Sequence, residues 1–332
     1  MQNENFNRAI SNKNIILTKE EYIGKEIIDI FNWFIHSFKS ENTQQSYTRD
    51  LEEFFLFTFK TLKIKITSLK QITERLVILW KESLNNFSIS SVARKLSSLS
   101  SFLTYARKRG LLEYNILELI KKPKIDKKGK TNTLNQEEVL KLLEFSKKQF
   151  QISKCKKSRT YNVWRLRYTV MYTLFTVGLR AEELCELKIN SLEKVGANWR
   201  LHMVTKGNVT HSPIIHPNTA LVLMDYKNEF RADAEGDDYF FIRSQMSKNL
   251  TKLSRSSVFD MVKISVKESR VFKDVSPHSF RATLATLLHN QGVPIVQIQG
   301  LLNHKLISTT SIYLKKSSEL AESATQKIGF LE

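Results

Sequence analysis

The stretch that decides the fold spans residues 276–313 and reads SPHSFRATLATLLHNQGVPIVQIQGLLNHKLISTTSIY. Apolar residues recur in it at helical spacing, which predicts amphipathic helices. Gly292 followed by Pro294 is typical of one helix ending and another beginning. Ser308 or Thr309 can cap a further helix. The stretch therefore predicts three short helices in succession.

Four side chains in this stretch have the chemistry to hold and attack an anion. His278 and Arg281 are three positions apart at the start of the first helix, so they face the same way. His304 follows the second helix, and Tyr313 lies on the third. Cationic donors around a phosphate, with a phenol able to attack it, are the groups that covalent catalysis on a phosphate requires.

The same residues carry a family resemblance. The stretch resembles the C-terminal signature of tyrosine site-specific recombinases, the phage-integrase and Xer class. That family has a His-x-x-Arg pair, a later His and a Tyr nine positions further on, as His304 and Tyr313 are here. Two positions depart from the family pattern: Ala282 stands where members usually have His, and Asn303 where they usually have Gly.

A second motif, TVGLRAEELCELKINSL, resembles the family's Thr-Gly-Leu-Arg-x-x-Glu-Leu. The resemblance implies that Arg180 is the first catalytic arginine. A guanidinium suits this role because its planar fork holds two phosphate oxygens and keeps its charge. Glu183, three positions on, is placed to hold that guanidinium or a neighbouring helix.

Alternating residues across 197–215 predict a β-hairpin with Lys206 at its tip. The family carries its catalytic lysine on such a hairpin in a Lys-Gly context, which Lys206 and Gly207 match. A lysine at a hairpin tip is otherwise usually solvated. Histidines cluster around the same hairpin, but without Cys or carboxylate partners at regular spacing, so we expect no metal site from them: His202, His211 and His216.

The sequence predicts a mainly α protein with a small β-hairpin or sheet, in the two-domain tyrosine-recombinase architecture. We expect a flexible arm (1–18), a helical core-DNA-binding domain (19–120), a basic linker (121–132) and a mixed α/β catalytic domain with a C-terminal tail (133–332). Predicted helices of the first domain cover 19–38, 43–59, 69–84, Ser88 or Ser90 to Arg109, and 114–120. Those of the second cover 135–148, 164–177, 219–230, 256–268 and two that begin near 277 and 294.

The first domain has many aromatic residues, which we interpret as core rather than as a base-stacking platform: Tyr47, Phe54, Phe55, Phe57 and Phe59. The motifs TQQSYTRDLEEFF and SSVARKLSSLSSFLTYARKRGLLEYN resemble the family's core-binding domain. Its fourth helix carries basic residues outside the apolar stripe, for which we expect DNA contact ahead of simple solvation: Arg94, Lys95, Arg107, Lys108 and Arg109.

The charge balance predicts a polyanionic partner. Lys and Arg number 52 against 33 Asp and Glu, a net charge of +19, although a lysine-rich proteome would also raise this figure. No apolar run is long enough for a membrane span, and the N-terminus lacks a secretory apolar region. Cys155 and Cys185 have no metal or disulfide spacing, so we expect a cytoplasmic, nucleoid-associated protein, with Cys185 in the core.

The resemblance implies that double-stranded DNA is cleaved and rejoined through a 3′-phosphotyrosyl link, by the following set: Arg180, Lys206, His278, Arg281, His304 and Tyr313. No carboxylate cluster or Walker loop suggests a metal ion or nucleotide cofactor. It further implies a synaptic tetramer on DNA, joined by a tail that ends in Ile328, Phe330 and Leu331. The alternatives are a topoisomerase-like enzyme and a DNA-binding regulator descended from this fold.

Overall fold

The computed structural model describes residues 18–121, 123, 131–205, 209–243 and 251–303. The chain divides into two compact units, Met1–Asp126 and Lys127–Glu332. Most of the expected arm, most of the expected linker and the expected tail lie outside the described residues.

The first unit is helical: α1 Lys19–Tyr22, α2 Lys25–His36, α3 Glu41–Lys60, α4 Glu74–Ser83 and α5 Ile89–Lys108, with 3₁₀ turns at Leu69–Gln71 and Ile116–Glu118. The prediction of a single helix over 19–38 is wrong, because the helix is interrupted at Ile23 and Gly24. A Cβ on Gly24 would lie 2.7 Å from the Cα of Thr67, and the Gly24 N–H donates to the Ile66 carbonyl at 2.8 Å. The helix expected at 114–120 is only a 3₁₀ turn, which Asn115 caps.

Aromatic side chains fill the core of this unit, as predicted. Phe54, Phe55 and Phe102 are fully buried, and Trp80 packs edge-on against Phe54 at 5.0 Å between ring centroids. Each fully buried phenylalanine contributes about 1.5–3 kcal/mol relative to an exposed one. Their interpretation as core is therefore confirmed.

Ion pairs join α3 to α5 and involve two of the basic residues that were expected to contact DNA, Arg94 and Lys95. Asp50 is fully buried and accepts hydrogen bonds from Arg94 and Ser98. Lys95 is 4% exposed and pairs with Glu53. The placement of Lys95 on an outward basic face is therefore wrong, because a carboxylate of the neighbouring helix draws its ammonium inward. The last residues of the group, Lys108 and Arg109, are exposed.

The second unit contains seven more helices in its described residues: α6 Gln136–Cys155, α7 Tyr161–Val177, α8 Ala181–Cys185, α9 Pro217–Phe230, α10 Arg255–Glu268, α11 Pro277–Asn290 and α12 Ile295–Leu302. As predicted from its apolar sequence, α7 is central, and it contacts α6, α9, α10 and α11. The helix begun by Asn135 extends past the predicted end near Lys148 to Cys155. Cys185 is buried in this core, which raises the pKa of its thiol to about 11.

Two small antiparallel sheets lie between α8 and α9 in the sequence. Strands β1 Leu192–Val195, β2 Asn198–Leu201 and β5 Ile214–Ile215 form one, in the order β1-β2-β5. Strands β3 Met203–Thr205 and β4 Val209–His211 form the other, with Thr205 opposite Val209. The single hairpin predicted over 197–215 is therefore two ladders, and the β1–β2 turn at Gly196 was missed. The mainly α fold class with small sheets is confirmed.

None of the helices in the described ranges is both long and apolar enough to span a membrane.

Candidate active site

Arg180 lies at a sharp corner between two helices. Helix α7 ends at Gly178, whose φ of +70° is the left-handed conformation that glycine adopts without strain. Two residues later Arg180 is the N-cap residue of α8. Its backbone N–H donates to Oε2 of Glu183 at 2.8 Å, and its Nη1 donates to Oε1 at 2.5 Å. The buried Glu183 carboxylate therefore fixes the direction of a guanidinium whose side chain remains 43% exposed.

Gly178 also allows the last two described helices to approach this corner. A Cβ at Gly178 would lie 2.5 Å from Cδ2 of Leu302 and 3.0 Å from Cδ2 of Leu284. Contacts below 3 Å are repulsive, so a side chain here would push α11 and α12 away. The absence of a side chain brings the α7–α8 corner, the start of α11 and the end of α12 together.

Arg281 ties these three segments by hydrogen bonds. It lies in the first turns of α11 and is only 2% exposed. Its Nη1 donates to the Gly178 carbonyl at 2.6 Å, and its Nη2 donates to the Leu302 carbonyl. One guanidinium thus connects residues 103 and 21 positions away in the sequence.

His278 lies at the beginning of the same helix and is exposed to solvent. The protein atoms around its imidazole, then the charges of Arg281 and Arg180, lower its pKa below the usual 6.5. Both guanidinium charges act on the same imidazole. Arg281 also bonds the Gly178 carbonyl, two residues before Arg180, so the three side chains lie at the same corner. At neutral pH the imidazole is uncharged and able to accept a proton.

The β3–β4 hairpin contacts the end of α12. The His211 Nε2 lies 3.0 Å from the Leu301 carbonyl and must donate, because a carbonyl only accepts. The Asn303 Nδ2 donates to the Thr205 Oγ1 at 3.3 Å. Asn303 itself has a left-handed φ of +47°. These contacts bring the last residue of β3 and the last residue of β4, which lie at opposite ends of the hairpin, to the residues that precede position 304.

Three of the six predicted site residues are thus brought together, and three lie outside the described residues: Lys206, His304 and Tyr313. Lys206 comes after Thr205, and His304 after Asn303.

Three tyrosines on α7 offer alternatives to Tyr313 and are unsuited to attack. Burial raises the pKa of Tyr168 and of Tyr172. Burial and a hydrogen bond to Glu229 raise the pKa of Tyr161. A phenol acting as nucleophile needs the opposite shift, since its anion is the reactive form. Packing and hydrogen bonding account for these three residues.

The histidines near the hairpin have other partners than a metal ion. The His202 ring bonds Ser212 and Glu193, both at 2.7 Å. The His216 Nδ1 accepts from the Asn218 N–H at 3.2 Å, at the start of α9. Within the described ranges, no group of three or more His, Cys, Asp or Glu residues has the arrangement of a metal site.

Two contributors to the site were missed by sequence reasoning. The sequence near Arg281 gives no sign that its guanidinium bonds backbone carbonyls, because those carbonyls belong to residues far away in the chain. The Thr205–Asn303 contact also joins distant positions, although Asn303 stood out as a departure from the family's glycine. A residue with a side chain where glycine is usual was the available clue.

The phage integrase family profile matches residues 132–319, and that of the phage integrase N-terminal SAM-like domain matches residues 34–110. A tyrosine recombinase of Pseudothermotoga lettingae is 30% identical over 276 residues, 83% of this chain and 87% of that protein. The tyrosine recombinase XerA of Pyrococcus furiosus is 28% identical over 315 residues, 95% and 98% of the two chains.

Solved structures share the fold. The XerH site-specific recombinase bound to its difH substrate, in a pre-cleavage complex, matches with a TM-score of 0.64 at 18% identity, over 84% of this chain and 80% of that one. A lambda integrase tetramer bound to a Holliday junction matches with a TM-score of 0.64 at 17% identity, over 92% and 80%. With a family profile that spans more than half of its length and a relative at 30% identity, the chain belongs to the phage integrase family of tyrosine recombinases.

Proposed function

We propose that this protein recombines DNA at specific sites by cleaving and rejoining strands through a 3′-phosphotyrosyl intermediate. One observation supports this most directly: Arg180, which is distant in the sequence from His278 and Arg281, lies at the same corner of the second unit as they do. The charges of both arginines act on the imidazole of His278. Two fixed cations beside a neutral base form a site for a phosphodiester and for the nucleophile that attacks it.

In the proposed reaction the Tyr313 Oη attacks the phosphorus of one strand. A bond forms between the phenol oxygen and phosphorus, and the bond from phosphorus to the 5′-oxygen breaks. His278 takes or orients the phenol proton, and Lys206 donates a proton to the departing 5′-oxygen. The reverse sequence, with the 5′-hydroxyl of a new strand as attacker, rejoins the DNA and regenerates the tyrosine. The energy of the ester bond is conserved, so neither ATP nor a metal ion is required.

The cationic residues stabilise the charge that develops on the phosphorane. Arg180, Arg281 and His304 are the proposed donors to its non-bridging oxygens. Fixed donors of this kind are each worth about 3–4 kcal/mol in the transition state. Glu183 supports this role by holding the Arg180 guanidinium through two hydrogen bonds, which reduces the entropy lost when a phosphate binds.

We assign DNA binding to both parts of the chain: residues 19–120 as the core-binding domain, 121–132 as a basic linker and 133–332 as the catalytic domain. The net charge of +19 and the exposed Lys108 and Arg109 favour contacts with phosphates. If several phosphates are contacted, the logarithm of the binding constant falls steeply with the logarithm of the salt concentration. A flat plot for the full chain on duplex DNA contradicts this assignment.

Assembly into a synaptic tetramer is the second part of the proposal. The lambda integrase structure described above is a tetramer on a Holliday junction. We assign the contact between protomers to the tail that includes Ile328, Phe330 and Leu331. Removal of the residues after Ser318 should leave binding of one DNA site and abolish pairing of two sites in native gels. Unchanged pairing means that the tail has another role. The protein is expected to act in the cytoplasm, on the nucleoid.

Covalent trapping tests the central step. Fragments of the DNA around the gene are incubated with the protein in EDTA, and protein–DNA adducts are sequenced to locate the cleaved bond. A duplex of that sequence with a nick beside the bond then prevents rejoining. The wild-type protein should accumulate on the 3′-phosphate, and Tyr313→Phe should bind with similar affinity and form no adduct. Tyr172→Phe is the matched control and should react like the wild type.

Four outcomes contradict the proposal. Adducts that persist in Tyr313→Phe exclude this nucleophile. Adducts that require Mg²⁺ exclude the metal-free mechanism. Binding without any adduct indicates a DNA-binding regulator. Adducts that form at unrelated sequences and relax supercoiled DNA, without exchange of strands between sites, indicate a topoisomerase-like enzyme.

A further inference from the structure

Three successive residues, immediately before position 304, are each held by a different part of the second unit. The Leu301 carbonyl accepts a hydrogen bond from His211 on β4 at 3.0 Å. The Leu302 carbonyl accepts one from Arg281 on α11. The Asn303 side chain donates to the Thr205 Oγ1 at the end of β3. Two of these three contacts therefore come from the β3–β4 hairpin.

Thr205 connects the hairpin's own closure to Asn303. It is paired with Val209 in the β3–β4 ladder, and its hydroxyl donates to the Val209 carbonyl at 2.9 Å. The same oxygen accepts from the Asn303 Nδ2 at 3.3 Å. Thr205 is only 9% exposed, so water competes little for either bond. Two hydrogen bonds in series thus connect Asn303 to Thr205 and Thr205 to Val209, so Asn303 is linked to both strands of the hairpin.

The backbone of Asn303 explains which residues this position accepts. Its φ of +47° is unfavourable for most side chains but is tolerated by asparagine and favoured by glycine. Family members usually have glycine at this position. Glycine adopts this backbone conformation but cannot donate a hydrogen bond to Thr205. Asparagine satisfies the backbone and adds the contact.

We propose that Asn303 and Thr205 are positioning residues that align the Lys206 end of the hairpin with the segment that leads into His304. Thr205 directly precedes Lys206, and Asn303 directly precedes His304. The contact therefore couples the proposed proton donor for the leaving oxygen to the proposed phosphate-binding segment. This inference rests on the function proposed above, in which Lys206 protonates the 5′-oxygen.

The leaving group offers a direct test of that coupling. In DNA with sulfur in place of the bridging 5′-oxygen, the same attack breaks a phosphorus–sulfur bond and releases a thiolate. A thiol has a pKa of about 8.5, so the thiolate leaves without prior protonation. A variant whose only defect is a misplaced proton donor is slow on the oxygen substrate and recovers on the sulfur substrate.

The variants are chosen to keep the backbone and the side-chain shape. Asn303→Gly preserves the left-handed conformation and removes the amide, and Thr205→Val preserves the shape and removes the hydroxyl. Each should cleave the oxygen substrate about 10- to 100-fold more slowly than the wild type, as misplacement by about 1 Å does. On the sulfur substrate each should recover to within about threefold of the wild type. Thr205→Ser, which keeps the hydroxyl, should be close to the wild type on both.

The double variant Asn303→Gly/Thr205→Val should be no slower than the slower single variant, because both remove the same contact. Full oxygen-substrate activity in Asn303→Gly overturns the proposal. An equal loss on both substrates also overturns it, since the defect then lies in phosphate binding rather than in proton donation.

Two reference variants separate this inference from the proposed function. Lys206→Ala should be slow on oxygen and recover on sulfur, and Arg180→Ala should be slow on both, because non-bridging oxygens are unchanged. If Lys206→Ala does not recover, its role as proton donor in the proposed function fails. If Lys206→Ala recovers and Asn303→Gly does not, only the positioning role of Asn303 and Thr205 fails.

Discussion

The α7–α8 corner and the first turns of α11 each present an arginine, and the two are held in opposite ways. Arg180 has a 43% exposed side chain and pairs with Glu183, three residues along its own helix. Arg281 is 2% exposed and donates to carbonyls of Gly178 and Leu302, which belong to two other segments. Arg180 is therefore a partly exposed cation held by a residue of its own helix, whereas Arg281 also connects two other segments of the tertiary structure.

The difference has an electrostatic consequence. The described partners of the two guanidinium groups differ in charge: the Glu183 carboxylate offsets part of the charge of Arg180, whereas the Gly178 and Leu302 carbonyls carry no net charge. Both guanidinium charges act on His278 and lower its pKa. We therefore expect the two arginines to contribute differently to stability and to catalysis.

The comparison is tested most severely by Arg281→Ala. Two buried carbonyls lose their donor, and at about 1–3 kcal/mol each the free energy of unfolding should fall by about 2–6 kcal/mol. DNA cleavage should be lost as well. Urea unfolding monitored by circular dichroism measures the first effect, and covalent trapping measures the second. Arg281→Lys keeps the charge but cannot reach both carbonyls, so it should remain destabilised; wild-type stability in it contradicts the connector role.

Gly178→Ala tests the close approach at the corner between the two arginines. A left-handed alanine costs about 1–2 kcal/mol, and the contact with Leu302 adds about 1–3 kcal/mol of overpacking. Gly292 is the matched control, since its φ is +82° and a Cβ there meets nothing within 4 Å. Gly292→Ala should show the backbone cost alone. Equal losses of stability in both variants exclude a packing role for Gly178.

Arg180→Ala should have a small effect on folding and a large one on chemistry. The guanidinium is 43% exposed, and the buried Glu183 carboxylate keeps its hydrogen bond from the backbone N–H of residue 180, so the free energy of unfolding should fall by only about 1–2 kcal/mol. Loss of one phosphate donor should slow cleavage by about 10²–10³-fold. The measurement is again urea unfolding beside single-turnover trapping. If Arg180→Ala destabilises the chain as much as Arg281→Ala, the distinction between the two arginines is lost.

The smallest effect concerns the titration of His278. In the wild type without DNA its imidazole should titrate below the usual 6.5, and the Arg180→Ala variant should move the pKa upward, because one repelling charge is gone. NMR of the ring protons measures both values. His289, near the end of α11, serves as a reference within the same spectrum. A pKa of His278 above 6.5 in the wild type contradicts the proximity of the two guanidinium charges to its ring.

Sequence reasoning succeeded where the signal was local. The capping residue Asn135, the glycine end of α7 and the pairing of Arg180 with Glu183 depend on residues within a few positions of each other. It failed where a neighbouring element intervened. Gly24 breaks a helix because the backbone of Thr67 lies against it, and Lys95 turns inward because Glu53 on another helix attracts it.

The sequence by itself determined the family, the mainly helical class and the identity of the proposed site residues, because motif spacing and helical periodicity are properties of the chain alone. Only the tertiary structure decided that the Arg281 guanidinium also holds two carbonyls, and that Asn303 contacts Thr205. Hydrogen bonds between positions 21 to 103 residues apart depend on how helices and strands pack, and no local pattern encodes that packing.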